Sequence, residues 1–221
     1  MSSYVYMKIL ESQPRRYDRG LALLSLGHAD RVKERLVAEN VRPRDRVLEV
    51  GCGTGTVVVL AVRAGAAVTA FDVSGAMLEV AREKVAAEGL GDRVELEEAS
   101  ISGMDRYPDE SFDVVISTLV FSELSPDEQG YVLDHAYRIL GSGGRLALAD
   151  EARPRTVWMR LLHGLLRVPL LVLTFALTQT STRAVRGLTT RVRRAGFIIE
   201  TEERTTLDSF LYLVAVKEGA G

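Results

Sequence analysis

The sequence predicts an α/β fold: a seven-stranded, mostly parallel sheet with helices on both faces and an antiparallel last strand. Three observations carry this. Short apolar runs alternate with amphipathic ones along most of the chain, the order expected of a doubly wound sheet. The first run, Val47-Leu48-Glu49-Val50, enters a glycine-rich turn, Gly51-Cys52-Gly53-Thr54-Gly55. The last two runs, 197–203 and 210–217, read as an antiparallel pair at the sheet edge.

Between these ends the elements follow in turn. The run 67–71 is a second strand, closed by Asp72. Ser74 caps a helix to about Ala87, with Met77, Leu78, Val80 and Ala81 on its apolar face, and Gly89 and Gly91 end it. Residues 93–97 alternate as a third strand, and 112–117 form a buried fourth. Ser125-Pro126-Asp127-Glu128 is a strong helix start, with a cap, a proline at the first helical position and the acid of a capping box. That helix runs to about Leu140, where Gly141-Ser142-Gly143-Gly144 stops it; a fifth strand spans 145–150 and a helix 183–195. Residues 1–40 read as an N-terminal helical cap and 41–221 as the main domain, with a helical lid inserted at about 152–182. Both additions emerge near the carboxyl ends of the strands, where such sheets bind ligands.

The chain has 221 residues, enough for one domain with a generous core. It is 47% hydrophobic and 26% charged, as soluble globular proteins are. The N-terminus lacks the apolar core and cleavage site of a signal peptide, and the single cysteine, Cys52, cannot form an intrachain disulfide. Both point to the cytoplasm. His28, His135 and His163 are far apart in sequence, and no Cys/His cluster has metal-ligand spacing, so no metal is expected. A net charge of −2 hides a segregation, because 152–199 holds many arginines and no acid. Such a stretch makes a basic face.

Glycines at a strand-to-helix turn let the backbone approach a ligand, and an acid closing the next strand can hold both hydroxyls of a ribose. A nicotinamide dinucleotide site shares this outline, but its third glycine would fall on Thr56. Glu49 also argues against a pyrophosphate, whereas it suits a ligand carrying an ammonium and a sulfonium. The E-x-G-x-G-x-G turn followed by Asp72 resembles the first two motifs of the class I S-adenosylmethionine (SAM)-dependent methyltransferases, and the resemblance covers residues 46–217.

That resemblance implies a Rossmann-like fold whose last strand inserts antiparallel, and methyl transfer from SAM that leaves S-adenosylhomocysteine. Glu49, Gly51, Gly53 and Gly55 would line the methionine end. Asp72 would hold the ribose, and Val73 and Met77 would pack near the adenine. Ser100 and Ile101, after strand three, stand where the family often has Asp-Ala, and Ser100 would meet the adenine amino group. Thr118 and Leu119, past strand four, would flank the methyl. Relatives often carry a histidine in the next segment, which here reads Phe121-Ser122-Glu123-Leu124. Glu123 is therefore the first candidate for base or electrostatic anchor. Tyr17, Asp18, Ser122, Asp150 and Glu151 are further polar groups near the strand ends, with Tyr17 the second catalytic candidate.

The insertion is apolar over 157–178 but broken by Arg160, His163, Arg167 and Pro169, too often for a span of about 20 apolar residues. It reads as a lid over a small, partly apolar acceptor, with a membrane-surface contact or a homodimer interface through 152–195 as alternatives. Nucleic acid is not expected, since the arginines lack interleaved aromatics. Three segments also look like methyltransferases associated with corrinoid proteins: Arg16-Tyr17-Asp18-Arg19-Gly20, Phe121-Ser122-Glu123-Leu124-Ser125 and Leu177-Thr178-Gln179-Thr180-Ser181-Thr182. That likeness implies a corrinoid or its carrier protein as acceptor. A SAM-binding partner protein without turnover is the remaining alternative.

Overall fold

In the computed structural model the described residues are 14–25, 27–151, 185, 187–205 and 210–219. Helices α1 (Pro14–Leu24) and α2 (His28–Asn40) precede β1 (Arg46–Val50), α3 (Thr56–Arg63), β2 (Ala67–Asp72), α4 (Gly75–Ala87) and β3 (Val94–Glu98). After them come β4 (Phe112–Thr118), α5 (Pro126–Ile139), β5 (Leu140–Glu151), α6 (Leu188–Arg194), β6 (Phe197–Thr205) and β7 (Phe210–Lys217). The sheet order is β3-β2-β1-β4-β5-β7-β6. Strands β1 to β5 pair in parallel, and β7 lies antiparallel between β5 and β6. Winding reverses between β1 and β4, which places the crevice of the sheet above their carboxyl ends.

Alternation along the strands sorts the core into two layers. Leu48, Val50, Val115, Leu146 and Leu148 face Val132, Leu133 and Ala136 of α5 and Val192 of α6. Val47, Val68, Ala70, Val114, Ile116 and Ala147 face Leu36 and Val37 of α2 and Val57, Val58 and Ala61 of α3. Helix α2 is thus part of the core rather than an added layer. Its far end is tied to the sheet edge: Arg35 donates to both carboxylate oxygens of Glu203 (2.6 and 2.8 Å), and the Tyr212 hydroxyl donates to Glu39 (2.6 Å).

Both expected helix starts are present. The Ser74 hydroxyl accepts from the Met77 amide, and Ser125 and Glu128 form a reciprocal capping box. Two boundaries differ from the sequence reading. The glycine run 141–144 does not separate α5 from the fifth strand; β5 begins at Leu140, and its pairing with β4 shifts register between Phe112 and Val114. Glycine suits this kink, since a Cβ at Gly144 would lie 2.8 Å from the Gly141 carbonyl. Helix α6 starts at Leu188 rather than 183, because Gly187 takes a left-handed conformation (φ 65°) and Val185 bonds back to the Glu151 carbonyl. The lid reading, His163, the segment 177–182 and the first residues of the cap lie outside the described residues.

Candidate cofactor and transfer site

The three glycines of the turn share positive φ, but each meets a different neighbour. A Cβ on Gly51 (φ 70°) would lie 2.4 Å from Val120, and one on Gly55 (φ 73°) would lie 2.7 Å from Ala81 of α4. Gly53 (φ 53°) faces open space, with nothing within 4 Å of such a Cβ. Gly51 and Gly55 thus let the turn pack, while Gly53 leaves backbone open to a ligand.

Asp72 holds this turn against the start of α4. Its carboxylate accepts the Gly53 amide at 2.8 Å and the Ser74 amide at 2.9 Å. A carboxylate has about four lone-pair sites, so two remain for a pair of ribose hydroxyls. Beside it Val73 is 71% exposed, while Met77 is buried. Ser100 is exposed and shares a hydrogen bond with Ser102, whereas Ile101 packs on the core.

Glu49 sits on β1 with its side chain in the α2–α3 layer, buried and accepting a backbone hydrogen bond from Val58; its Oε2 has no partner. Burial pushes its pKa up to about 8, Lys33 pulls it down and Asp72 adds to the rise. Lys33, on α2, is buried and its own pKa is lowered by that burial. Nearby, Asp18 of α1 accepts from Thr54 (2.7 Å), Thr56 (3.3 Å) and Lys84. Burial favours its neutral form, but the Lys84 and Thr54 bonds outweigh that and hold its pKa below the ordinary range. Burial drives the Cys52 thiol far up, so Cys52 is a packing residue and not a nucleophile.

Across the crevice, Thr118 pairs with Ala149, and Leu119 adopts φ 63°, a strained conformation for a side-chain-bearing residue. The turn continues through buried Phe121 to Glu123, which is exposed. Asp150, at the end of β5, anchors this turn. It is 2% exposed and accepts the Ser122 amide (3.2 Å) and its neighbour Glu151's amide (2.6 Å). Burial raises its pKa to about 7 against those donors. The sequence placed Asp150 at the strand end but ranked Glu123 first. The overlooked signal was an acid closing the apolar run Leu146-Ala147-Leu148-Ala149. The two N-terminal helices form the other wall: Tyr17 and Leu21 of α1 and Ala29 of α2 pack with Met77 and Leu119. Tyr17, Met77 and Leu119 thus share one cluster, Asp72 binds the Gly53 amide, and Ser100 follows Ala99, whose amide donates to the Asp72 carbonyl.

Glu49 and Asp150 make a measurable pH signature. A carboxyl whose folded pKa is raised withdraws stability as pH climbs from its unfolded pKa to its folded one. The window runs from about 4.5 to about 8 for Glu49 and from about 3.8 to about 7 for Asp150. Carboxylates with lowered pKa, such as Asp18 and Asp113, are charged in both states above about pH 5.5 and add no slope there. Ligand-free protein should lose several degrees of melting temperature between pH 5.5 and 8. Glu49→Gln should flatten the slope, whatever it does to the absolute value; an unchanged slope would remove Glu49 as its source.

The cofactor fits this crevice on three structural grounds: an orphaned carboxylate oxygen on Glu49, open space at Gly53 and free lone pairs on Asp72. Among the described residues no group of His, Cys, Asp and Glu could hold a metal, and no helix is long and apolar enough to cross a membrane.

Comparison with known proteins bears on the family and the fold. Residues 47–144 match the family described as "Methyltransferase domain". The chain is 31% identical over 153 residues to the ubiquinone/menaquinone biosynthesis C-methyltransferase UbiE of Geotalea daltonii, covering 67% of this chain and 63% of that one. It is 35% identical over 140 residues to the demethylmenaquinone methyltransferase of Clavibacter sepedonicus, covering 62% and 54%. The chain thus spans less than two thirds of the length of these curated relatives. A solved SAM-dependent methyltransferase from Aquifex aeolicus shares the fold, with a TM-score of 0.65 at 19% identity over 94% of this chain and 98% of that one.

Proposed function

Because this chain belongs to the class I SAM-dependent methyltransferases, we propose that it transfers the methyl group of SAM to a small, partly apolar acceptor. The observation that carries the reading is the open backbone at Gly53, set between Asp72 and the unpaired oxygen of Glu49. The bound cofactor supplies a methyl already activated on a sulfonium. The chain's part is to hold, align and dehydrate. Asp72 takes the ribose hydroxyls, Val73 and Met77 flank the adenine, and Glu49 attracts the amino-acid end. Tyr17, Leu21 and Leu119 give the acceptor side an apolar wall, which supports an acceptor with a flat apolar part. The quinone-biosynthesis names of the two relatives support the same chemical class. No metal takes part, and the protein works in the cytoplasm.

The test uses purified protein, SAM labelled in its methyl group and cell extract, with label sorted into organic, aqueous and protein fractions. Label in a small apolar molecule is the expected result. Label held on protein would point to a corrinoid carrier or another macromolecular acceptor. Bound SAM with no transfer would favour a partner-binding role. Glu123 projects from the turn beyond β4, so Glu123→Gln should slow turnover about 100-fold, the low end for a general base, while SAM affinity stays unchanged. Normal turnover on the identified acceptor would remove Glu123 from the reaction.

A further inference from the structure

Lys33 has no part in the methyl-transfer reading. It lies on the inward stripe of α2, among Ala29, Val32, Leu36 and Val37, and is 8% exposed. A buried ammonium is costly in such a place unless anions compensate it. The anions it feels are Asp18, Glu49 and Asp30, with Lys84 opposing. Asp18 is already committed to Thr54, Thr56 and Lys84, whereas Glu49 keeps an oxygen without a partner.

The charges around Glu49 come from each element packed on it: Lys33 from α2, Asp72 from β2 and Lys84 from α4, with the Val58 amide of α3. Cys52 beside it is held neutral by burial. Of the two cations, Lys84 is engaged directly by Asp18, whereas Lys33 is buried on the inward stripe of α2.

We propose that Lys33 is a positioning residue for the cofactor's amino-acid end: its buried ammonium eases the ionisation of Glu49, so that Glu49 can give up its proton and pair with an incoming ammonium. The proposal rests on the SAM reading of the crevice. Without Lys33, the Glu49 carboxyl holds its proton to higher pH, and cofactor binding must displace that proton first. Lys33 thereby sets the pH range over which the enzyme loads its cofactor, without touching the methyl or the acceptor.

The experiment measures dissociation constants by calorimetry from pH 6 to 9.5, for wild type, Lys33→Met and Lys33→Arg. Three ligands separate the possibilities: SAM, decarboxylated SAM, which keeps the ammonium without the carboxylate, and 5′-methylthioadenosine, which lacks the amino-acid end. Lys33→Met should shift the SAM curve toward alkaline pH by about one unit, roughly a tenfold loss at pH 7. Decarboxylated SAM should show the same shift, Lys33→Arg should restore the wild-type curve, and methylthioadenosine should bind all three proteins alike. The ligand's own titration is common to every protein and cancels.

An equal loss at every pH, shared by methylthioadenosine, would make Lys33 a packing residue and overturn the proposal. A shift seen with SAM but absent with decarboxylated SAM would also overturn it, by assigning Lys33 to the cofactor carboxylate directly. Wild-type protein that binds none of the three ligands would sink the cofactor reading, and this proposal with it.

Discussion

Replacing Asp72 with alanine should weaken SAM binding by about 1–3 kcal/mol, the scale of a charge-assisted hydrogen bond, or roughly 5- to 150-fold. The side chain has two tasks. Its free lone pairs face the ribose position, and its bonds to the Gly53 and Ser74 amides hold the glycine turn against α4. Asp72→Asn separates them in part, because the amide can still accept from Ser74 while its NH2 confronts the Gly53 N–H. Asparagine should therefore recover only part of the loss, as read by titration calorimetry. Wild-type affinity in the alanine variant would remove Asp72 from the ribose site.

The second large effect belongs to the turn itself. Gly55→Ala should cost about 2–5 kcal/mol of stability. A left-handed conformation costs an L-residue roughly 1–2 kcal/mol, and the new Cβ would meet Ala81 Cβ at 2.7 Å and its Cα at 3.1 Å. Helix backbone cannot yield as a side-chain tip does, so overpacking adds about 1–3 kcal/mol. For a domain of this size each kcal/mol lowers the melting temperature by roughly 2–4 °C. Gly53→Ala is the control within the same turn. It carries the conformational cost alone, so it should melt closer to wild type yet bind SAM far less tightly, because its Cβ enters the space left for the ligand. Melting curves with and without SAM check both. Equal melting temperatures for the two variants would show that packing against Ala81 does not constrain the turn.

The sheet was legible because its signals are local. Apolar runs, the Ser74 cap and the Ser125–Glu128 box each fix an element from its own residues, and the glycine turn with Asp72 fixed the crevice. What escaped depends on contacts between distant segments. The run 141–144 looks like a break, yet it is a kinked start of β5, because pairing with Phe112 overrides glycine's weak strand preference. Lys33 lies in a charge-rich helix, His-Ala-Asp-Arg-Val-Lys-Glu-Arg, and reads as solvated. Its place on the 29-32-33-36-37 stripe marks it as inward-facing, but only the acids brought near it by folding, Asp18 and Glu49, explain why a lysine is tolerated there. Asp150 was read as a polar group at a strand end, but its hold on the Ser122 and Glu151 amides was not, because that depends on a turn closing on it.

The bonds from Asp18 to Thr54, Thr56 and Lys84 have a consequence for anyone seeking a shorter working version of this protein. Residues before β1 would be the natural ones to discard, leaving the stretch that matches the methyltransferase domain. Deleting them would remove Asp18 and leave Lys84 without its carboxylate. It would also strip Leu36 and Val37 from one layer of the core and bare Met77 and Leu119. The boundary drawn by sequence similarity is therefore not a boundary of cooperative folding. A chain cut at residue 41 is expected to aggregate rather than serve as a minimal catalyst.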